Sequence, residues 1–571
     1  MRKGATMTEK IAIGIQDFEK LRKGKYFYVD KTNMIQEWWE SGDDVTLITR
    51  PRRFGKTLNM SMLEQFFSVD YAGRSDLFEG LSIWNEEEYR ALQGSYPVIS
   101  ISFARVKDTN LADAKKRIHE IISSIFSKYA FLEEKSILSE NEQDYVDRLL
   151  SQHASDVDIT SSLHRLSEFL YRYYGKKVLI LLDEYDTPMQ EAYIGGYWEE
   201  IVGFMRNLFN STFKTNPCME RGIMTGITRV SKESIFSDLN NLKVVTTTSK
   251  HYATAFGFTE QEVFDTLDKY GLSAEKEQVK FWYDGFIFGK QKEMYNPWSI
   301  LNFLDEREYS NYWANTSSNG LIGKLLREGD KSVKEKFEIL LRGEHLEEII
   351  DEQIVYNQLD YNETAVWSLL LASGYLKVIG RRESTRQSYG AKRLYELAIT
   401  NFETKYMFED MVLGWFGEVK SDYNDFIKAL LLGDIEAMNE YMSRVALRTF
   451  SYFDVGNGPL GDEPERFYHG FVLGLLVELQ NRYVITSNRE SGFGRYDVML
   501  EPLNPKQDVA IVLEFKAKNK RREKTLEEAL NAALEQIEKQ QYVVQLEEKG
   551  IPKERIFCYG IVFDGKTVLV G

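Results

Sequence analysis

Cysteine is scarce in this sequence, which has only Cys218 and Cys558 among 571 residues, far apart along the chain. This scarcity excludes a disulfide framework and a cysteine-rich structural zinc site, and it predicts a reducing compartment, the cytoplasm. Long apolar runs are missing as well. We therefore expect no membrane-spanning segment, no membrane partner and no signal peptide at the amino terminus.

Basic residues are fewer than acidic ones: the sequence has 72 Lys and Arg residues and 88 Asp and Glu residues, which gives a formal net charge of −16. This charge excludes a protein coated in nucleic acid, although it is compatible with a local, salt-sensitive basic groove. Apolar material is abundant, with 43% hydrophobic and 13% aromatic residues. The length predicts roughly three or four compact units with sizeable cores.

Residues 45–67, VTLITRPRRFGKTLNMSMLEQFF, predict an apolar strand, a basic turn and an apolar helix. Such a turn is typical of a phosphate-binding loop (P-loop), in which backbone N–H groups and the positive end of a helix converge on a polyphosphate. The nucleotide-binding candidates in this loop are Arg53, Phe54, Gly55, Lys56 and Thr57. Lys56 can reach the β and γ phosphates, and the Thr57 hydroxyl can ligand Mg²⁺.

The loop departs from the pattern G-x-x-x-x-G-K-[ST] at Arg50, which replaces the first glycine, and the alternative is an ordinary turn with a surface lysine. A second segment, KKVLILLDEYD, favours the nucleotide interpretation. Its five consecutive apolar residues predict a strand buried in a parallel sheet, and Asp183 and Glu184 follow at the carboxyl end. Asp183 can hold Mg²⁺, and Glu184 can orient or deprotonate an attacking water.

The next apolar strand, in RGIMTGITRV, is predicted to end at Thr228 and Arg229. Thr228 is a candidate γ-phosphate sensor and Arg229 a candidate charge stabiliser, with turn capping as the alternative for both. Strands alternate with helices over residues 1–255, which favours an open parallel α/β sheet with its ligand at the carboxyl ends of the strands. The aromatic residues Trp38 and Trp39 form either a wall of an adenine pocket or part of the core.

Three further regions follow this predicted sheet. Residues 256–405 predict a helical lid and then a winged-helix-like unit, whose basic hairpin RRESTRQSYGAKR is either a nucleic-acid contact or a solvated turn. Residues 406–450 predict a helical connector. A Gly-, Pro- and Asp-rich stretch then opens the last domain, residues 451–571.

The last domain contains a second cluster of candidate catalytic residues. In IVLEFKA, Glu514 and Lys516 are predicted to share one face of a strand, while Leu513 and Phe515 face the core. The preceding strand, GRYDVML, offers Asp497. Asp497, Glu514 and the Phe515 carbonyl make an oxygen-rich site for Mg²⁺, or for Mn²⁺. Lys516 can then orient an attacking water or stabilise developing charge, and the alternative is a structural Glu–Lys pair at a sheet edge.

A helix predicted to begin near Thr525 follows this strand, with a capping box and an apolar stripe. Gln536 and Tyr542 lie at its far end and can approach the same site. The intervening run KAKNKRREK is either a contact to backbone phosphates or a solvated loop.

These segments together resemble a bacterial family in which an AAA-ATPase-like domain is fused to a C-terminal PD-(D/E)XK nuclease-like domain. The segments that carry the resemblance are IGIQDFEKL, YFYVDKT, RPRRFGKT, LLDEYD, TGITRVSKESIFSDLNNL, FGFT, YNPWSI, FYHG, SNRESGFGRYD, LEFK and GIVFDGK. The resemblance makes Arg50 a family feature. It implies ATP and Mg²⁺ at Lys56, Thr57 and Asp183.

For the last domain, the resemblance implies a restriction-endonuclease-like α/β fold with a D…E-x-K core. The matching residues are Asp497, Glu514 and Lys516. An acid or histidine from the first helix usually completes the metal site in such domains. Here His469 and Glu478 are both candidates, and the pattern does not choose between them.

The first functional hypothesis is an ATP-binding, ATP-hydrolysing protein coupled to a Mg²⁺-dependent nuclease that acts on DNA or RNA. The second is an ATP-gated module whose nuclease-like domain binds nucleic acid or a protein without cutting. The acidic net charge favours the second hypothesis. Retention of Asp497, Glu514 and Lys516 favours the first, because a binding module has no chemical need for these three side chains. Assembly into a homo-oligomer stays open.

Overall fold

A computed structural model describes residues 9–134, 137–229, 236, 239–313, 320–328, 331–351, 356, 359, 362–382, 394–415, 423–449, 472, 476, 479, 482–487, 490–491, 494–495, 498–505, 507–518, 523–539, 542–564 and 567–571. The chain forms two compact units. The first comprises Met1–Gly329 and Ile339–Met407, and the second comprises Asp330–Glu338 and Phe408–Gly571. Within the described ranges, none of the helices has the length and apolar character needed to cross a membrane.

The first unit is built on a five-stranded parallel sheet with the strand order β2–β3–β4–β1–β5. These strands are β1 Val45–Thr49, β2 Val98–Ser102, β3 Val178–Asp183, β4 Met219–Gly226 and β5 Leu242–Val245. The helices are α1 Phe18–Lys23, α2 Asn33–Glu40, α3 Lys56–Phe67, α4 Glu87–Leu92, α5 Leu111–Lys128, α6 Phe131–Glu134, α7 Glu140–Leu150, α8 Asp156–Tyr174, α9 Thr187–Gly195 and α10 Trp198–Phe213. Every residue of β1 and β3 is buried, as expected of strands inside a parallel sheet. The predicted parallel α/β sheet is confirmed.

The carboxyl ends of β3, β4 and β1 lie side by side, because β4 pairs in parallel with both neighbours. Met224 is level with Leu182 on one side, and Thr225 is level with Ile48 on the other. The residues that follow β1 and β3 therefore lie along one edge of the sheet. This edge positions the candidate nucleotide site.

The aromatic residues Trp38 and Trp39 lie away from that edge. Trp38 is fully buried with its ring centroid 5.6 Å from that of Phe67, and Trp39 stacks on the same ring at 5.2 Å. Phe67 is the last residue of α3, whereas Gly55 caps the other end of this helix. Trp38 therefore belongs to the core, and the half-buried Trp39 packs at its margin.

The predicted lid region contains the expected helices. It also contains a small sheet that the sequence patterns did not predict. Its helices are α11 Glu260–Lys269, α12 Lys276–Tyr283, α13 Pro297–Glu306 and α14 Gly320–Glu328. The antiparallel sheet, of order β6–β8–β7, consists of β6 Phe258–Thr259, β7 Asp284–Phe288 and β8 Gln291–Tyr295. Phe286 and Phe288 are two residues apart in β7, and both rings pack on Phe54 of the loop after β1.

Helices and three strands occupy the region for which a winged-helix-like unit is predicted. They are α15 Lys331–Leu341, β9 Leu346–Ile349, α16 Glu363–Ala372, β10 Leu376–Arg382, β11 Leu394–Ile399 and α17 Phe402–Trp415, and α15 and α17 each contain residues of both units. The three strands form an antiparallel sheet of order β10–β11–β9. Most of the predicted basic hairpin, residues 383–393, lies outside the described residues.

The second unit contains a five-stranded mixed sheet of order β12–β15–β16–β17–β18, in which only β16 and β17 pair in parallel among the described strands. Its elements are α18 Tyr423–Leu432, α19 Ile435–Thr449, β12 Tyr483–Ser487, β13 Glu490–Ser491, β14 Gly494–Arg495, β15 Val498–Pro502, β16 Ala510–Ala517, α20 Leu526–Lys539, α21 Tyr542–Glu548, β17 Ile556–Asp564 and β18 Thr567–Val570. This mixed α/β sheet agrees with the predicted fold class.

Helices cover both faces of this mixed sheet. Leu513 and Phe515 of β16 share a core with side chains of α18 and α19, which were predicted as a connector. Val512, on the opposite face of β16, packs with Ile537 of α20 and Leu546 of α21. The predicted core orientation of Leu513 and Phe515 is confirmed.

Candidate functional site

The first candidate site is the loop between β1 and α3. Gly55 caps α3 in the left-handed conformation, with φ of +85°, and no side chain caps this helix end. A Cβ atom at Gly55 would meet no other atom within 4 Å. The amino end of α3 therefore presents backbone N–H groups with open space beside Gly55, which is the arrangement that binds phosphate.

The Lys56 ammonium lies within this loop. Its Nζ donates to the carbonyl oxygens of Arg50 at 3.0 Å and Pro51 at 2.8 Å, and the residue is 6% exposed. Burial lowers the pKa of Lys56, while the negative charges of Glu184 and Asp183 oppose that shift. Lys56 is therefore a buried cation held by neutral oxygens, beside two carboxylates.

Arg50, at the position of the usual first glycine, has a structural role that the sequence did not reveal. Its guanidinium donates to the carbonyl oxygens of Thr49 at 2.8 Å, Thr246 at 2.9 Å, His251 at 3.3 Å and Tyr252 at 3.1 Å. The residue is 0% exposed. Burial lowers the pKa of Arg50 to about 9. Arg50 therefore ties the phosphate-binding loop to residues 246–252.

The neighbouring predicted residues Arg53 and Phe54 face different surroundings. The Arg53 guanidinium lies over the Trp298 ring, 4.2 Å from its centroid, and Arg53 adopts φ of +64°. The Phe54 side chain is buried against Phe286 and Phe288 of the lid. Only the backbone of Phe54 is therefore placed to meet a phosphate.

Asp183 and Thr57, the predicted metal pair, are in direct contact. Thr57 Oγ1 donates to Asp183 Oδ2 at 2.7 Å, although the two residues are 126 positions apart in the chain. Thr225 Oγ1 donates to the other carboxylate oxygen, Oδ1. Burial raises the pKa of Asp183, and the hydrogen bonds from Thr225 and Thr57 oppose this shift. Asp183 is thus oriented by one hydroxyl from the strand beside it and one from the loop helix.

Thr225 was not singled out from the sequence, whereas Thr228 was. β4 ends at Gly226, two residues before the predicted end at Thr228. The Thr228 hydroxyl donates to Asp186 Oδ2 at 2.8 Å, and the backbone N–H of Thr228 donates to the same oxygen at 2.8 Å. Thr228 therefore closes the turn after β4 through Asp186. Thr225 is the hydroxyl that contacts Asp183.

Glu184 adopts φ of +52° immediately after Asp183, and its Oε2 accepts a hydrogen bond from Thr187 Oγ1 at 3.1 Å. Glu184 is half-buried and acts electrostatically on Lys56. Because its backbone is left-handed, the Glu184 side chain does not continue the alternation of β3. It reaches Thr187, the first residue of α9, instead. Glu184 therefore lies at the same sheet edge as Asp183.

The second candidate site lies on β16 in the other unit. Glu514 is 3% exposed, and its Oε1 accepts a hydrogen bond from Gln536 Nε2 of α20. Gln536 was predicted to approach this site, and the structure places it there. Glu514 is level with Gly560 of β17, where a Cβ atom would approach Leu530 of α20 to 2.7 Å. α20 therefore packs closely over the face that carries Glu514.

Lys516, two residues along the same face, forms an ion pair with Glu523, with Nζ 3.2 Å from Oε1. The Phe515 side chain packs on the opposite face beside Phe563. Phe515 can therefore serve a metal only through its carbonyl oxygen. Four of the predicted residues lie outside the described residues or have undescribed side chains, namely Asp497, His469, Glu478 and Tyr542.

Both sites offer the oxygen donors that Mg²⁺ prefers. At the first site these donors are the Thr57 hydroxyl and the Asp183 carboxylate, beside the amino end of α3. At the second site the donor is the buried Glu514 carboxylate. Among the described residues, no group of three or more His, Cys, Asp or Glu side chains is placed to hold a metal. The residues present at the first site fit a Mg²⁺–nucleotide complex.

Comparisons with known proteins match this organisation. Residues 12–236 match the family model "Predicted AAA-ATPase", and residues 463–571 match the model "PD-(D/E)XK nuclease superfamily". The resemblance inferred from the sequence motifs is confirmed.

Two individual proteins are also similar to the chain. One is "Uncharacterized protein in vnfD 5'region" from Azotobacter chroococcum mcd 1, which is 26% identical over 412 residues, 71% of this chain and 70% of that protein. The other is the solved structure of the ORC2 protein of Aeropyrum pernix in ADPNP–ADP complexes. That comparison covers 69% of this chain and 93% of the ORC2 chain, at 10% identity and a TM-score of 0.22.

Proposed function

We propose that this chain binds and hydrolyses ATP and that it couples ATP hydrolysis to metal-dependent cleavage of DNA or RNA. The two matched domains, AAA-ATPase-like and PD-(D/E)XK nuclease superfamily, support this proposal. The observation that carries the ATP part is the 2.7 Å hydrogen bond between Thr57 and Asp183, beside the buried Lys56. These three side chains come from two distant segments. Their convergence at one sheet edge supports a common task.

In this proposal the loop residues bind the triphosphate. Lys56 exchanges its bonds to the Arg50 and Pro51 carbonyls for phosphate oxygens, and the N–H groups at the start of α3 bind the same oxygens. Thr57 and Asp183 hold Mg²⁺, which neutralises phosphate charge when bound. Glu184 accepts a proton from the attacking water.

Hydrolysis proceeds by attack of this water on the γ phosphoryl group. The water oxygen forms a bond to the γ phosphorus, the bond from that phosphorus to the β–γ bridging oxygen breaks, and the electron pair stays on ADP. Inorganic phosphate is the other product. The proton taken up by Glu184 returns to solvent.

In the second unit, the proposed catalytic residues are Asp497, Glu514 and Lys516, and the proposed metal ligands are Asp497, Glu514 and the Phe515 carbonyl. Support comes from the buried Glu514 carboxylate and from Lys516 on the same strand face. A bound Mg²⁺ or Mn²⁺ would supply Lewis-acid stabilisation of the phosphodiester oxygens. Lys516 would orient the water, once released from Glu523.

Several finer assignments belong to the same proposal. We place the ATPase domain at residues 1–255, the lid and winged-helix-like part at 256–405, a helical segment at 406–450 and the nuclease domain at 451–571. Thr228 is retained as a γ-phosphate sensor acting through the turn that it closes with Asp186. The protein is proposed to act in the cytoplasm on nucleic acid, and its assembly into a homo-oligomer stays open.

Nucleotide binding tests the first half of the proposal. Isothermal titration of the full chain with MgATP should give a binding heat that Lys56→Ala and Asp183→Asn greatly reduce. A matched control is Lys176→Ala, because Lys176 lies over Tyr96 on the amino side of β3, away from the loop. Wild-type protein that shows no binding at millimolar MgATP contradicts the proposal.

Nuclease assays test the second half. We expect wild-type protein with Mn²⁺ or Mg²⁺ to cut at least one of a panel of single- and double-stranded DNA and RNA substrates. Glu514→Gln and Lys516→Ala should abolish cutting, whereas Lys549→Ala should not, because Lys549 is ion-paired to Glu501. Circular dichroism checks that each variant folds. Metal binding without any cutting would instead support the interaction-module alternative.

A further inference from the structure

The three arginines of the phosphate-binding loop have three different surroundings. Arg50 is buried and binds four backbone carbonyls, and Arg53 lies over Trp298. Arg52 has one long side-chain hydrogen bond, from Nη2 to Gln190 Oε1 at 3.4 Å. Among the residues that the structure describes, Arg52 forms no ion pair. Its guanidinium is therefore held more loosely than that of Arg50, and within the described ranges it does not lie over an aromatic ring as that of Arg53 does.

The Arg52 side chain is half-buried and faces a cavity in the first unit. Residues lining this cavity include Gln190, Thr228, Trp313, Tyr356 and Tyr375. The described lining residues contain no carboxylate. Arg52 is therefore a cation that faces neutral groups, beside the turn after β4 that Thr228 closes.

Arg52 also lies near Lys56. Burial chiefly lowers the pKa of the Lys56 ammonium, and the positive charge of Arg52 contributes to the same shift. Pro51, the neighbour of Arg52 in the chain, accepts a hydrogen bond from Lys56 Nζ at 2.8 Å, and Asp183 and Glu184 also act electrostatically on Lys56. A ligand held by Lys56 is thus within electrostatic reach of the Arg52 guanidinium.

The backbone of Arg52 is firmly held, in contrast to its side chain. Its carbonyl oxygen accepts hydrogen bonds from Asn296 Nδ2 at 3.2 Å and from Trp313 Nε1 at 3.0 Å. The lid therefore fixes the position from which the guanidinium extends. A fixed backbone with a weakly bound planar fork suits the recognition of phosphate oxygens.

We propose that the Arg52 guanidinium contacts the γ-phosphoryl group of bound ATP and stabilises the charge that develops on it during hydrolysis. This inference rests on the proposed ATPase function. As the bond to the bridging oxygen breaks, negative charge spreads over the peripheral oxygens of the γ phosphoryl group. Arg52 would donate two N–H groups to these oxygens and give up its single bond to Gln190.

The test compares ground-state and transition-state binding in the full chain. The variants are Arg52→Gln and Arg52→Lys, and the matched control is Arg165→Gln, a half-buried arginine of α8 that lies over Tyr145. Fluorescence titration with a labelled nucleotide gives the affinities for MgADP and for MgADP with aluminium fluoride. Single-turnover hydrolysis of ATP gives the rate of the chemical step. Thermal unfolding confirms that each variant folds.

We expect Arg52→Gln to bind MgADP within about twofold of wild type, because ADP has no γ phosphoryl group. Its affinity for the aluminium fluoride complex and its hydrolysis rate should both fall about 100-fold or more. Arg52→Lys should recover only part of this loss, because an ammonium lacks the planar fork. Arg165→Gln should match wild type in all measurements.

Two results would overturn the inference separately from the proposed function. If wild type hydrolyses ATP and Arg52→Gln retains its rate and its affinity for the aluminium fluoride complex, Arg52 has no such role. If Arg52→Gln loses MgADP affinity to the same extent, the residue supports the loop structurally instead. A wild-type chain that binds neither nucleotide overturns the proposed ATPase function and this inference with it.

Discussion

Replacing Arg50 by glycine would restore the usual first position of a phosphate-binding loop, and we expect this change to damage the protein. Arg50→Gly removes a guanidinium that binds the carbonyl oxygens of Thr49, Thr246, His251 and Tyr252. It also removes the packing of Arg50 on Phe288, whose ring centroid lies 4.7 Å from the guanidinium carbon. The segment 246–252 then loses its tie to the loop.

The magnitude follows from these contacts. Hydrogen bonds to charged groups contribute ~1.5–3 kcal/mol each, so the four bonds set a ceiling of ~6–12 kcal/mol. The cost of burying a guanidinium without a carboxylate offsets several kcal/mol of this gain. A net loss of ~3–5 kcal/mol in the free energy of unfolding remains, which corresponds to a fall of roughly 5–10 °C in Tm.

Hydrogen–deuterium exchange gives a local readout of this effect, and calorimetry gives the change in Tm. We expect Arg50→Gly to speed amide exchange over residues 246–252, with a smaller change over the second unit. Arg53→Gly is the matched control, because Arg53 has φ of +64° and glycine adopts that conformation without strain. If Arg50→Gly has the same Tm and exchange pattern as Arg53→Gly, the structural role assigned to Arg50 is refuted.

Three more predictions follow from single contacts. Thr225→Val removes a hydrogen bond to Asp183, so the pKa of that carboxyl should rise further and the acid limb of the ATPase pH profile should move to higher pH. Gln536→Ala removes the donor to Glu514, and Mn²⁺ affinity measured by titration should fall about tenfold, whereas unchanged affinity would exclude this role. Burial raises the pKa of Asp284 from 3.8 to about 6, so its stabilising contribution is present below pH 3.8 and is lost as pH rises through 6. Asp284→Asn should therefore flatten the fall in Tm between those pH values, and an unchanged pH profile of Tm would contradict this assignment.

The parts of the site that could be predicted are those whose function follows from the residues next to them in the sequence. Lys56 and Thr57 follow a glycine turn after an apolar strand, and Asp183 ends a second apolar strand. Parallel strands place such ends at one edge, so the contact between Thr57 and Asp183 follows from the fold class. Thr225 was missed because a single hydroxyl inside an apolar strand carries no pattern of its own.

Arg50 could not be interpreted from the sequence for a related reason. Most of its partners are backbone carbonyls about 200 residues away, at 246, 251 and 252. Every residue has a backbone carbonyl, so the sequence does not indicate which of them Arg50 binds. The lid sheet was missed because the alternation in its strand, DGFIF, spans only five residues and follows a helical pattern directly. In the second unit, the alternation of Leu513, Glu514 and Phe515 gave the correct faces because β16 is a regular eight-residue strand.

The way the cations are held bears on what the first site can bind. Lys56 and Arg50 donate hydrogen bonds to backbone carbonyl oxygens, and among the described residues neither forms a direct ion pair of the kind that joins Arg172 to Glu142. The carboxylates Asp183 and Glu184 lie at the end of β3, where Asp183 accepts a hydrogen bond from Thr57 and both act electrostatically on Lys56. A ligand with negative charge toward Lys56 and a cation toward Asp183 and Glu184 interacts favourably with both the loop and the carboxylates. A bare anion interacts favourably only with the loop, and a bare metal ion only with the carboxylates. A metal-bound polyphosphate is such a ligand, and this arrangement of charges therefore favours a complex of nucleotide and divalent metal over either component alone.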